Sequence, residues 1–302
     1  MEKFDTKLDR YAYSAIVDRP TYEWPNGTRL AVYFALNIEA FEFGLNPGKD
    51  FTSSPSAPYH RGYAYRDYGN RVGVWRIKKL FDDMNMPLAI LANSSVYDVY
   101  PRVLDAFRER GDEFVGHGRT NSERQIEMSE TQEREMIAAV ASRMSAAEGT
   151  PPKGWLGPFI SQSPKTPELL KEQGFTYMLD WFFDDQPVWF KTDNGPILAV
   201  PYPSMELNDL PAYINRGSSD SDFTRMMIDA FDEQLEESAT FPSVYCVSLH
   251  TFMTGHPHRI RQLRGVLEHI QAHRESIWLT TPGQIATHVA ALPKGTVPGD
   301  ER

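Results

Sequence analysis

Leu30-Ala31-Val32-Tyr33-Phe34-Ala35-Leu36, followed at once by Asn37-Ile38-Glu39, is the stretch on which the fold class turns. Its side chains are apolar on both faces, as in a strand buried between two layers, and the run stops abruptly on an amide and a carboxylate. Upstream, residues 1–28 are polar and aromatic without periodicity. They close on Trp24-Pro25-Asn26-Gly27, a turn signal that makes them an arm leading into the fold. Downstream, residues 44–70 are rich in Gly, Pro, Ser and Tyr, and an insertion of that length predicts a segment that lines or covers a site.

Helix and strand then alternate. Helical spacing over residues 72–84 leads to the apolar run 88–92, and a helix opened by Pro101 ends at Gly111 before the short strand 113–116. Ser129-Glu130-Thr131-Gln132 resembles a capping box and opens a helix reaching Met144. Strands at 154–157, 175–179, 197–200, 243–249 and 277–280 alternate with helices at 166–173, 222–235 and 259–273. This order predicts an α/β fold with mostly parallel strands, a barrel or a doubly wound sheet, in which active groups gather at the carboxyl ends of the strands. No linker divides the series, so one catalytic domain is expected over 29–290, after the arm 1–28 and before a tail 291–302.

Composition narrows the function classes. The 302 residues are 41% hydrophobic and 24% charged, which excludes a disordered chain, collagen and a coiled coil. A net charge of −10 leaves no uniform cationic field for phosphates, so nucleic acid is not an expected partner. The single cysteine, Cys246, lies in an apolar run, which rules out an intrachain disulfide and a cysteine-cluster metal site. Without an apolar signal stretch after Met1, and with no run approaching about eighteen apolar residues, the expectation is a soluble cytoplasmic protein that does not engage membrane. The aromatic arm (Tyr11, Tyr13, Tyr22, Trp24) could wrap a partner or its own barrel, and a homo-oligomer is expected.

The polar residues that follow strands form a short list: Asn37, Glu39 and Glu42; His117, Arg119 and Asn121; Asp180, Asp184 and Asp185; and His250. A hydrolase needs an activated water, a proton donor for the leaving group and an oxyanion stabiliser, and Glu39 and His250 suit the first two roles. The competing readings are a solvated loop carboxylate for Glu39 and a structural histidine for His250. His256-Pro257-His258 stands just before a helix and is read as cap or surface rather than metal site. The aromatic run Trp181-Phe182-Phe183 with Trp189-Phe190 is read as packing ahead of substrate stacking.

Taken together, Leu36-Asn37-Ile38-Glu39, Gly116-His117-Gly118-Arg119-Thr120-Asn121-Ser122 and Ser248-Leu249-His250 resemble, in order, the motifs of the polysaccharide deacetylase superfamily, the NodB-homology hydrolases. The resemblance covers most of residues 24–288. It is closest to the PuuE-type allantoinase and cyclic imide hydrolase subgroup, through Trp24 to Gly27, Arg71-Val72-Gly73-Val74-Trp75-Arg76, Gly154 to Gly157, Asp184-Asp185-Gln186-Pro187 and Pro201-Tyr202. It implies a distorted (β/α) barrel and hydrolysis of a non-peptide C–N bond in a small-molecule substrate, most simply ring-opening of a cyclic amide, imide or ureide. Deacetylation of an N-acetylated sugar and an inactive binding protein on the same fold are the alternatives.

Within that resemblance Asn37 stands at the position of the catalytic base, Glu39 at that of the carboxylate ligand, His117 at the first histidine and Asn121 at the second. Asn37 cannot ionise and is expected to position. No organic cofactor is implied; a divalent ion, zinc or a harder one, is either absent or held weakly by Glu39, His117 and Asn121, since an amide oxygen is a poor zinc ligand. Trp155 and the backbone of Gly154 and Gly157 are expected in the pocket wall, with a glycine N–H facing the oxyanion, and Arg119 and Tyr202 are expected on substrate carbonyls.

Overall fold

The computed structural model describes residues 9–45 and 60–300. Its strands are β1 (Leu30–Ile38), β2 (Ala89–Ala92), β3 (Glu113–Gly116), β4 (Gly154–Trp155), β5 (Tyr177–Met178), β6 (Val188–Phe190), β7 (Ile197–Ala199), β8 (Ser243–His250) and β9 (Ile277–Leu279). The α-helices are α1 (His60–Tyr68), α2 (Val74–Met84), α3 (Val96–Val99), α4 (Pro101–Arg108), α5 (Glu130–Glu148), α6 (Thr166–Glu172), α7 (Asp220–Glu237), α8 (Thr251–Thr254), α9 (Pro257–Gln271) and α10 (Pro282–Ala291). The strands make one curled sheet in the order β6-β7-β5-β4-β3-β2-β1-β8, parallel throughout except where β6 pairs with β7. β1 is its centre: β8 runs along one edge, while β9 and then β2 share the other.

Both faces of β1 are buried, as its sequence requires. Leu30, Val32, Phe34, Leu36 and Ile38 pack into the layer under the helices, while Ala31, Tyr33 and Ala35 join Leu91, Val115, Tyr177 and Tyr202 on the other face. The period of two along a strand divides one sheet between two apolar layers. Among the described residues no strand pairs between β7 and β8; residues 201–210 fill the gap, with Ser248 N–H donating to Leu207 O (2.8 Å) and a bridge between Asn208 and Ser248.

The insertion expected at 44–70 is corrected over 60–70. That stretch is helix α1, which runs through a π-turn at Gly69–Gly73 into α2, while residues 46–59 lie outside the described residues. The glycines that read as loop are there for contact: a Cβ on Gly69 would lie 2.5 Å from Phe252 N, and one on Gly73 2.2 Å from Thr251 O. Backbone packs on backbone, and a π-turn of this kind frequently marks a functional site. Strand β6, also unforeseen, absorbs Trp189 and Phe190 as packing residues.

Residues 9–28 wrap the chain's own barrel. Tyr11 stacks on Phe183 (ring centres 4.2 Å apart), Arg10 pairs with Glu168, Arg19 with Asp184 (2.6 Å), and buried Trp24 donates its indole N–H to Ser243 O. The C-terminal stretch also docks, with Trp189 N–H donating to Pro298 O (2.9 Å). Among the described residues no helix is long and apolar enough to cross a membrane.

Candidate active site

The carboxyl ends of β1, β3 and β8 converge on a cavity of about 390 Å³ lined by, among others, Asn37, Glu39, Arg66, His117, Asn121 and His250. A parallel sheet points these ends the same way, so residues more than two hundred positions apart in the chain become neighbours. Asn93, just after β2, ties the rim together: its Oδ1 accepts the Ala40 N–H (2.9 Å) and its amide donates to His117 O.

Glu39 is 5% exposed and its Oε1 faces two imidazoles, His117 Nε2 at 3.4 Å and His250 Nε2 at 3.7 Å. Each ring is fixed from its far side. His117 Nδ1–H donates to Leu156 O (2.7 Å), and His250 Nδ1 lies 2.6 Å from Asp209 Oδ1. With its Nδ1 proton on Asp209, a neutral His250 would aim an Nε2 lone pair at the Glu39 carboxylate, so a proton on His250 Nε2 is favoured. Burial works against the His250 cation, yet Asp209 and Glu39 outweigh it and raise His250 above the ordinary imidazole range. Burial would likewise push Glu39 up, but His250, His117 and Arg66 together hold it below the usual carboxylate value. The environment thus favours the ionised carboxylate of Glu39 and the protonated ring of His250, a pair of groups able in chemical kind to accept and to donate a proton.

Asn37 donates its amide to Tyr202 Oη, Ser248 Oγ and Leu249 O (3.3, 3.1 and 3.1 Å), and Tyr202 shares a 2.6 Å hydrogen bond with Ser248. Both line the cavity in a satisfied network, which suits positioning.

Three expectations are corrected. Arg119 is exposed and pairs with Glu123 (2.6 Å) instead of lining the cavity. Trp155, in β4, is fully buried against Phe175 with its indole N–H donating to Gln125 Oε1, and it does not line the cavity either. Gly157 does line it, but its N–H is engaged by Asp180 Oδ1 (2.8 Å), so it faces no oxyanion; Gly154 lies within β4, its missing Cβ making room for Tyr177. Asp184 is committed to Arg19, and His256 stacks on Tyr65 and Tyr68 away from the cavity.

Asp209, Arg66 and Asn93 were not singled out from sequence. Asn93 follows a strand and the strand-end rule would have found it, whereas Asp209 comes from the irregular 201–210 segment and Arg66 from the stretch that reads as loop.

PuuE allantoinase, in its crystal structure, matches this chain with a TM-score of 0.79 and 30% identity, over 89% of this chain and 92% of that one. A Pseudomonas aeruginosa PAO1 structure described as a probable polysaccharide deacetylase matches with a TM-score of 0.78 and 30% identity, over 88% and 92%. The chain belongs to the polysaccharide deacetylase superfamily. This deacetylase-superfamily member is accordingly a hydrolase of C–N bonds other than peptide bonds. A Schizosaccharomyces pombe protein named "Putative polysaccharide deacetylase" is 28% identical over 299 residues, covering 88% of this chain and 92% of its own. No family model matches the chain.

Superfamily deacetylases imply a divalent metal, and the donors here fit one poorly. Glu39 Oε2 and Asn121 Oδ1 are buried without hydrogen-bond donors, as ligand oxygens would be. Asn121, however, supplies an amide where zinc would take an imidazole, and among the described residues no group of three or more His, Cys, Asp and Glu side chains is placed to hold a metal ion. The charge of Arg66 already acts on Glu39, so a dication there would meet a like charge in the same cavity.

Proposed function

We propose that this superfamily member opens a small cyclic amide, imide or ureide by hydrolysing a ring C–N bond. The observation that carries the reading is the depth of the reacting pair: Glu39 and His250 are 5% and 4% exposed, in a cavity whose volume suits a small ring rather than a polymer strand. The likeness to PuuE allantoinase supports it.

Glu39 takes one proton from water as the water oxygen bonds to the carbonyl carbon, and the C=O π pair moves onto the carbonyl oxygen. When that pair returns, the C–N bond breaks and the nitrogen leaves with the proton from His250 Nε2. Glu39 then passes its proton to His250, and the new carboxylic acid releases its own to solvent. Asn37 and Tyr202 hold the strand ends that carry the two groups. A cytoplasmic location and a homo-oligomer belong to the same proposal; cell fractionation and light scattering test them.

A second reading, removal of N-acetyl groups from sugars, is favoured by the names of the Pseudomonas and Schizosaccharomyces relatives. A turnover screen with hydantoins, cyclic imides, cyclic ureides and N-acetylated sugars separates the two. Ring-opening with the higher kcat/KM is expected; turnover confined to N-acetyl sugars overturns the first reading.

A further inference from the structure

Hydrolysis at a carbonyl builds negative charge on its oxygen, and that charge needs a partner. The Gly157 N–H is held by Asp180, the Leu156 N–H by Gly116 O (2.9 Å), the Asn121 N–H by Ala40 O (2.8 Å), and the Asn37 and Asn208 amides by their own acceptors. Two arginines line the cavity: Arg124, exposed at the rim with its guanidinium 4.7 Å from the Phe159 ring centre, and Arg66, only 4% exposed.

Arg66 is held with little freedom. Its guanidinium lies 5.1 Å from the Phe41 ring centre and 5.3 Å from that of Phe252, its Nη1 donates to Gly62 O (3.1 Å), and helix α1 carries it on the backbone-packed turn that follows. Burying a guanidinium is costly unless nearby charge repays it, and Glu39, whose ionised form Arg66 helps to favour, lines the same cavity. When Glu39 takes a proton from water its charge is neutralised, at the moment the substrate oxygen becomes an anion. The negative charge moves from protein to substrate while the cation stays in place, already oriented and already desolvated.

We propose that Arg66 is the oxyanion-stabilising residue, its fixed positive charge standing opposite the carbonyl oxygen as the tetrahedral intermediate forms. The proposal rests on the hydrolytic reading above and adds a group to it. No bond to Arg66 forms or breaks: the oxygen gains the π pair beside the guanidinium and gives it back as the C–N bond cleaves.

The test compares Arg66→Met, which preserves the stem between the two rings, with Arg66→Lys, which preserves the charge, each checked for a wild-type-like Tm. Arg66→Met should lose about 10²–10³-fold in kcat, the size of one missing oxyanion donor, with KM changed much less. Arg66→Lys should retain a larger share, and added guanidinium should restore part of the Arg66→Met rate. A kcat within about tenfold of wild type in Arg66→Met, or equal losses in both variants with no guanidinium rescue, overturns the assignment. If the wild-type enzyme opens no ring but deacetylates N-acetylated sugars, the ring-opening reading alone falls. The same variants assayed on the acetamide then decide the role of Arg66, because that hydrolysis passes through the same oxyanion.

Discussion

Asp209 grips His250 twice: Oδ1 lies 2.6 Å from the ring Nδ1, and Oδ2 accepts the backbone N–H of the same histidine at 2.8 Å, with Thr254 Oγ1 at 2.6 Å on that oxygen as well. One buried carboxylate thus fixes the ring's orientation and its charge together. Its removal should lower the pKa of His250, which Asp209 helps to raise. In the proposed mechanism the imidazolium is the acid, so activity is lost as pH rises through that pKa, and in Asp209→Asn the alkaline limb of the kcat profile should move to lower pH. An unmoved limb would show that His250 is not the acid.

Glu39→Gln and His250→Ala should each lower kcat by about a hundredfold or more while substrate affinity changes much less, since both groups act mainly in the transition state. Steady-state kinetics on the substrate identified by the screen measures this. Near-wild-type turnover in both variants eliminates the proposed proton transfers.

Burial lifts the Asp180 carboxyl to about 7, against the Gly157 N–H and the Gln162 side chain, which favour its charged form. Because its folded pKa is raised, the folded protein holds a proton that the unfolded chain has released between the ordinary carboxylate value and about pH 7, so stability falls as pH rises through that window. Asp180→Asn keeps an acceptor for Gly157 but removes the buried charge. Its Tm should match wild type at about pH 4 and exceed it above about pH 7; a difference that stays flat across the range contradicts the linkage.

Gly157→Ala should disturb the cavity wall, because the new Cβ would lie 2.2 Å from Gln125 Oε1 and 2.7 Å from Asp180 Oδ1. The expected outcome is a lower Tm together with a raised KM, read by thermal melts and kinetics. A variant with both unchanged would mean that Gly157 is not held as tightly as these distances imply.

Chelation tests the donor set. Overnight dialysis against a strong chelator should leave kcat within about twofold, as expected where an amide replaces an imidazole ligand. Loss of activity restored by one divalent ion per chain, with that ion absent from both Glu39→Ala and His117→Ala, would instead establish a metal on these residues.

Of the residues picked out by the strand-end rule, Asn37, Glu39, His117, Asn121 and His250 line the cavity while Glu42, Arg119, Asp180, Asp184 and Asp185 do not; Tyr202, which also lines it, came from the family resemblance. The reason is geometric: in a parallel sheet, chain order and apolar runs already say which end each strand points toward. Arg119 went astray although Glu123 stands four residues on, a spacing that pairs opposite charges on a turn or helix. Trp155 and Gly157 flank the end of a two-residue strand, too short for any period to tell wall from core.

Sequence therefore settled the α/β class, most of the strands and their mainly parallel direction, because local hydrophobic pattern and short connections suffice for those. Tertiary structure alone decided which groups carry charge and which donors are spent. Asp209 reaches His250 from an irregular segment that fills the gap beside β8, Asp180 takes the Gly157 N–H from the bend after β5, and Gly69 and Gly73 let the α1–α2 turn close on residues 251–255, where Phe252 packs on Arg66. Each of these depends on contacts between residues distant in the chain and on burial, which sets the cost of charge, and neither is written in any local run of residues.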